Sequence, residues 1–329
     1  MDTFTGLEYI LIDLANNFGL DKLTWKERIT WTLDNESNLV SMIDQADNKF
    51  LFIKGIDALK DAKKGNPTGF IMGLDSTASG LQIMATLIGC HKTASNVNLV
   101  NTGNREDIYT KIANEMNKLP NINVTRSDVK KPIMTTYYGS KAQPKSVFGE
   151  DTPELEAFYK VLDNELPGAQ EVMNDIQQCW NSLALEHKWT LPDGHIAKIK
   201  VEEAVDKRIE IDELNHARLH YRAYINKPSK YGTSLAANIV HSIDGYIVRE
   251  MVREANKQGF QLATIHDSFW TSPNYMNNVR NTYNNILANI ANSNLLEDIL
   301  NEITNHKGKL KKYSTNLSKE ILNSNYSLS

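Results

Sequence analysis

The sequence predicts an α+β protein, mostly helical, and three observations carry that expectation. Apolar residues recur at helical spacing through most of the 329 positions. Two short apolar runs, FIMGLD (70–75) and LATI (262–265), are strand-like, and each leads into an aspartate, Asp75 or Asp267. The segment around Pro192-Asp193-Gly194 carries the turn residues of a hairpin.

The elements follow in order. The first 60 residues read as helices. GLEYILIDLANNF is an amphipathic helix with acids inside its apolar run, unlike a signal peptide. In TWKERITWTLDNESNLVSMI, Thr24 is an N-cap and Glu27, three residues on, completes a capping box. GNPTG (65–69) breaks the helical pattern before the buried strand ending at Asp75, and GLQIMATLIGC is helical again. Residues 105–119 form a helix, and residues 124–141 form another that ends at Gly139. Residues 152–187 read as helix with one break at Pro167-Gly168. A hairpin covers 188–203, a further strand covers ARLHYRAYIN (217–226), and a helix over 234–259 is stopped by Gly259. LATI and FW then flank a tight bend at His266-Asp267-Ser268. The tail is rich in Asn, but Val279, Tyr283, Ile286, Leu287 and Ile290 keep helical period, so it is ordered.

Composition narrows the function classes. No stretch approaches the roughly 18–20 consecutive apolar residues that span a bilayer, so no membrane partner is expected. Cys90 and Cys179 lack metal-ligand spacing, which argues against a zinc site or a disulfide framework and fits a reducing compartment. The net charge of −4 gives no bulk signal for nucleic-acid binding. Basic character is local, at 60–66 and 306–313, where solvated loops are the plain reading.

The chemistry concentrates in three places. An acid at the end of a buried strand is costly unless it is paired or holds a cation. Asp75 and Asp267 are both so placed, and adjacent strands can bring them together as an oxygen-ligand pair for Mg²⁺; taken singly, either reads as a turn residue. In RSDVKKPIMTTYYG, Arg126 and Lys130 share a helix face, suited to gripping a triphosphate, with Tyr138 further along. Taken alone, this stretch also reads as an exposed basic helix with a core tyrosine.

Together these stretches resemble a known family. DSTASGLQ (75–82), then R-x3-K-x7-Y-G (Arg126, Lys130, Tyr138, Gly139), then HDSF (266–269) follow the order of motifs A, B and C in the single-subunit, bacteriophage-type RNA polymerases. LPDG, NIVHSIDG, DIYTKIANEMN, GLDKLTWKERITW and the C-terminal ILNSNYSLS extend the resemblance along nearly the whole chain. It implies a right-hand polymerase palm with a small antiparallel sheet and helical fingers. Residues 1–90 would be the first part of the palm and 91–241 the fingers, with a reduced promoter-specificity hairpin near 207–230. Residues 242–329 would be the second part of the palm and the C-terminal foot. It implies two Mg²⁺ ions on Asp75, Asp267 and the Ser76 carbonyl, and phosphate contacts from Arg126 and Lys130. Lys130 would also serve as a proton donor to the leaving group. Tyr138 would select ribose, with Gly139, Ser79 and Gly80 at the substrate. His241 would touch the duplex and His266 would position motif C. Ser268 and the small residues after Asp75 stand where related DNA polymerases carry acids, which favours RNA.

Departures from the family pattern shape the rest of the expectation. Pro132 lies inside motif B; a helix starting near Lys131 would separate Arg126 from Lys130, and a proline inside one costs about 3 kcal/mol. The family's upstream D-x-x-G-R motif is missing, since no Gly-Arg pair occurs in the chain. The resemblance also leaves the family's thumb and N-terminal domain unmatched. The resemblance therefore implies the catalytic subunit of a split, two-chain podophage enzyme in the host bacterial cytoplasm. Its partners would be a second subunit supplying the missing parts, template DNA, RNA product, NTPs, and a promoter-melting or single-stranded-DNA-binding factor. A DNA polymerase or primase acting alone, an inactive nucleic-acid-binding paralogue, and a piece of a longer polymerase are the alternatives.

Overall fold

The structure, a computed structural model, describes residues 1–226, 232–314 and 316–329. Capping boxes start the first two helices: Thr24 with Glu27 opens α2 (Trp25–Asp34) as the sequence predicts, and Thr5 with Glu8 opens α1 (Gly6–Ala15) in the same way. α1 runs into a π-helical turn, Asn16–Leu20, which contains Gly19 at φ 110°. The helix foreseen through residue 43 stops at Asp34. Beyond Asn35 the chain tightens to a 3-10 helix, Glu36–Gln45, before α3 (Lys49–Lys63). These helices share a small core of Leu11, Leu14, Leu39, Phe52 and Ile56.

Strand β1 (Met72–Asp75) and α4 (Ser79–Ile88) come next, then α5 (His91–Asn96) and α6 (Ile108–Met116). α7 (Arg126–Thr136) opens on a Thr125–Asp128 capping box, so it begins at Arg126 and continues past Pro132. α8 (Ala142–Phe148), α9 (Pro153–Glu165) and α10 (Pro167–Gln178) follow. The helix expected to reach 187 ends at Gln178. Residues Glu186–Thr190 are instead strand β2, paired with β3 (Ile196–Lys200), with His187 and Trp189 buried. Alternating burial on a half-buried strand won over helical continuity there. A ribbon of β4 (Glu202–Ile211) and β5 (Ala217–Asn226) stands out from the body. The part of the hairpin foreseen at 227–230 lies outside the described residues.

α11 (Thr233–Gln258) ends at Gly259, φ 76°, as expected. β6 (Ala263–Ile265) and β7 (Ser268–Thr271) form the hairpin around His266-Asp267. α12 (Met276–Asn292), α13 (Leu295–Thr304) and α14 (Leu317–Ile321) complete the chain. The central sheet is antiparallel, in the order β1-β7-β6. Its inner face packs Met72, Leu74 and Phe269 into the main core with α4, α11 and α12. The α+β, mostly helical expectation holds. Among the described residues no helix is long and apolar enough to cross a membrane.

Candidate active site

Strand pairing brings the two aspartates together. β1 and β7 pair Asp75 with Ser268, and Asp267 is the preceding residue, in the two-residue turn between β6 and β7. His266 takes φ 54° to make that turn possible. The Ser76 N–H donates to the Asp267 carbonyl at 3.1 Å, so the two acid-bearing segments are tied by backbone as well.

The C-terminal segment clasps the same place. Ser329 N–H donates to the Asp75 carbonyl (2.9 Å), and Thr77 N–H donates to the Ser327 carbonyl (3.2 Å). Tyr326 stacks on Trp25, whose indole N–H donates to the Asn325 carbonyl. Beneath the loop the buried Gln82 accepts from Ser76 and Tyr283 and donates to Thr77 and to the carbonyls of Val97 and Ser327. A buried amide so fully satisfied makes the loop after Asp75 rigid.

The carboxylates share a cleft of about 520 Å³ with Ser76, Ser79 and Gly80. Burial pushes the Asp267 carboxyl up, and the like charge of Asp75 adds to that; the Ser79 hydroxyl, in the first turn of α4, pulls it back. Behind them Asp244, on α11, is pushed up to about 6 by burial and then by the charge of Asp267. Converging carboxylates, with Asp267 and Asp244 both disfavoured as anions by burial and a like charge, suit a divalent cation, which would relieve both. The donor set is hard oxygen, as Mg²⁺ requires.

Cations also wall the cleft. Arg126 Nε donates to Asp107 Oδ2 at 2.6 Å, and the guanidinium lies 5.3 Å from the Tyr109 ring centre. Lys130 Nζ lies 5.8 Å from the same ring, so the two share a face, as the sequence predicts. Tyr138 follows the helix, its hydroxyl close to where a Gly80 side chain would stand and its ring 4.8 Å from that of His241. Lys22 and Arg105 join this wall, and the sequence reading missed both. Burial lowers the affinity of each for its proton, Asp21 opposes that, and the charge of Arg126 adds to it. Lys22 is paired with Asp21. Arg105 donates to uncharged oxygens, the Ser329 hydroxyl (3.4 Å) and the Glu106 carbonyl (3.1 Å). Arg28, fully buried and pushed down to about 9 by burial, holds Ser329 from the other side (2.8 Å).

Asp75, Ser76, Ser79, Gly80, Arg126, Lys130, Tyr138 and Asp267 therefore line one cleft. Gly139, His241 and His266 do not. Gly139 is buried behind Tyr138 with φ 89°, His241 is exposed beside the Tyr138 ring, and His266 faces out of its turn. Asp244, Lys22, Arg105 and Trp270 were missed as site residues. The signals existed for the first two, in HSIDG and GLDK, but nothing local shows which face of the fold they join.

The basic stretch at 306–313 splits in role. Lys312 donates to the Ala291 and Ser293 carbonyls at the end of α12, while Lys307 and Lys309 are exposed. At the tip of the β4–β5 ribbon, His216 Nδ1 lies 3.1 Å from Glu210 and 3.2 Å from Asp212, all exposed and apart from the cleft.

Comparison with known proteins agrees with the motif order. The profile of the family described as DNA-dependent RNA polymerase matches residues 3–147 and 188–327. Among curated relatives, DNA-directed RNA polymerase 1, mitochondrial, of Arabidopsis thaliana is 24% identical over 328 residues, 81% of this chain and 33% of its own. The DNA-directed RNA polymerase of Pseudomonas phage phiKMV is 23% identical over 81% of this chain and 40% of its own. The mitochondrial enzyme of Schizosaccharomyces pombe is 22% identical over 90% and 31%. The chain spans about a third of the length of these relatives.

Proposed function

The chain belongs to the DNA-dependent RNA polymerase family, and from that premise we propose that it performs template-directed nucleotidyl transfer from NTPs to an RNA 3′-hydroxyl. The observation that carries this is the cleft itself: two aspartates far apart in sequence share with a wall of cations a space sized for a nucleotide. Asp75, Asp267 and the Ser76 carbonyl would hold two Mg²⁺ ions. When bound, such a pair lowers the pKa of the 3′-hydroxyl and neutralises charge on the triphosphate and the leaving pyrophosphate. Arg126 and Lys130 grip the phosphates, and Lys130 supplies a proton to the leaving pyrophosphate. Tyr138, held by His241 and standing close over Gly80, selects ribose. Residues 1–90 and 242–329 make the palm, and 91–241 make the fingers.

We further propose that a second chain supplies the D-x-x-G-R contact and the thumb, in a split phage enzyme working in the host cytoplasm. One fact supports this: no Gly-Arg pair occurs in the chain, so these residues do not supply that contact. A melting or single-stranded-DNA-binding factor would open the promoter. The test is extension of an RNA primer on a DNA template with NTPs and Mg²⁺, by the chain alone and mixed with its candidate partner. Activity only in the mixture, lost in Asp267→Asn, is the expected result. Activity of the chain alone would remove the second-chain reading, and incorporation of dNTPs in preference to NTPs would make it a DNA polymerase. Equal activity on duplex and single-stranded promoter templates would remove the melting factor.

A further inference from the structure

Beside the aspartates the cleft floor carries a group that none of the roles above uses. β1 and β7 pair Gly73 with Trp270, one step along the sheet from the Asp75–Ser268 pair. Side chains two residues apart on a strand share a face and stand about 7 Å apart along it. Trp270 therefore lies on the same face as Asp75, and both line the cleft together with Gly73 and Asp267. The inner face of the same two strands, Leu74 and Phe269, is fully buried, whereas Trp270 is only half-buried.

The indole is built into this place. Its N–H donates to the Ser268 hydroxyl at 2.8 Å, which fixes its orientation and leaves no polar atom to offer a ligand. Its ring covers Gly73 so closely that a Cβ there would meet it at 2.4 Å. Only glycine lets the ring lie down on the sheet. A large flat apolar surface, held rigid and left open to a polar cleft, matches a nucleotide rather than a phosphate.

We infer that Trp270 is a contact for the product strand, meeting the ribose and base of its 3′-terminal nucleotide while Asp75 and Asp267 face the 3′-hydroxyl. This rests on the polymerase reading. The spacing supports it, because one step of the sheet from Asp75 is about the reach of one nucleotide. The contact is by surface alone, so it is independent of sequence, as extension of any transcript requires.

The test compares wild type with Trp270→Ala, Trp270→Phe and Gly73→Ala in the active assembly. Binding of a fluorescent RNA–DNA primer–template is read by anisotropy, and KM for NTP is read at saturating scaffold. Stacking contacts of this kind change affinity by about 5- to 100-fold. Trp270→Ala should weaken scaffold binding within that range and leave KM for NTP within about twofold, and Trp270→Phe should recover most of the loss. Gly73→Ala, by lifting the ring, should act like Trp270→Ala. Wild type that extends the scaffold while Trp270→Ala, folded by its melting curve, binds it equally well overturns this inference alone. A rise in KM for NTP with unchanged scaffold affinity also overturns it, assigning the ring to the incoming nucleotide. Wild type that neither binds nor extends the scaffold overturns the polymerase reading and this one with it.

Discussion

Two antiparallel hairpins of this molecule use charge in opposite ways. β6–β7 and its neighbour β1 are short, packed on one face, and present Asp75 and Asp267 to a half-enclosed cleft. β4–β5 is more than twice as long and exposed on both faces. Its register separates an apolar side, with Val205, Ile209, Leu219 and Tyr221, from a charged side. There Arg222 pairs with Asp206 at 3.1 Å and Arg218 with Glu210 at 3.3 Å. Between 202 and 226 six acids outnumber four Lys and Arg residues. The ribbon cancels its own charge within one sheet, whereas the cleft sets like charges side by side. Charge that the fold leaves uncompensated marks a place for a ligand; charge paired in water marks a solvated surface.

The largest effect that could break this contrast is at the cleft. Asp267→Asn should reduce primer extension by about 10³-fold, several kcal/mol of lost charge stabilisation, with the melting temperature unchanged or higher. Residual activity near wild type would mean that the like-charge pair is not the reaction centre. Next is the cation wall. Arg105→Gln should raise KM for NTP about tenfold with a smaller change in kcat, as expected for loss of one charged hydrogen bond. An unchanged KM would return Arg105 to a purely structural role beside Ser329.

A third test sharpens the contrast through stability. Asp13 also lines the cleft, buried, its carboxyl pushed up to about 7 by burial despite a hydrogen bond from Asn17. With its folded pKa above the unfolded one, the native state binds more protons between about pH 4 and 7. Its contribution to stability therefore falls as pH rises across that window. Asp13→Asn keeps a side-chain oxygen to accept from Asn17 and should flatten this dependence. At pH 8 the variant should be more stable than wild type by about 1–4 kcal/mol, read by denaturant unfolding as a function of pH. The smallest effect belongs to the ribbon. Arg222→Ala breaks an exposed ion pair and should change stability by less than about 0.5 kcal/mol. A larger loss would show that the ribbon is not the solvated surface its pairing implies.

Much of this was legible before the fold. Capping boxes at Thr24 and the αL glycine at 259 announce helix ends because they act within a few residues. Asp75 and Asp267 were legible because an acid leaving an apolar strand needs a reason. Arg126 and Lys130 were legible because a helix face is a local property, though the start of α7 needed the Thr125–Asp128 box to be noticed. The strand at 186–190 was not, because helical and strand patterns compete over so short a run and burial of Trp189 by the body decides between them.

The amino-acid sequence by itself determined the helices, the strands that end in aspartates, and the order of motifs that identifies the family. The tertiary structure alone decided which charges meet. Arg28 reaches Ser329 across 301 residues, and Arg105 comes to the same hydroxyl. Asp244 is drawn behind Asp267, and Trp270 lies flat because residue 73 is a glycine. Periodicity and capping are set by neighbours in the chain, which a sequence displays. Compensation of charge and contact across a sheet are set by neighbours in space, which only folding supplies.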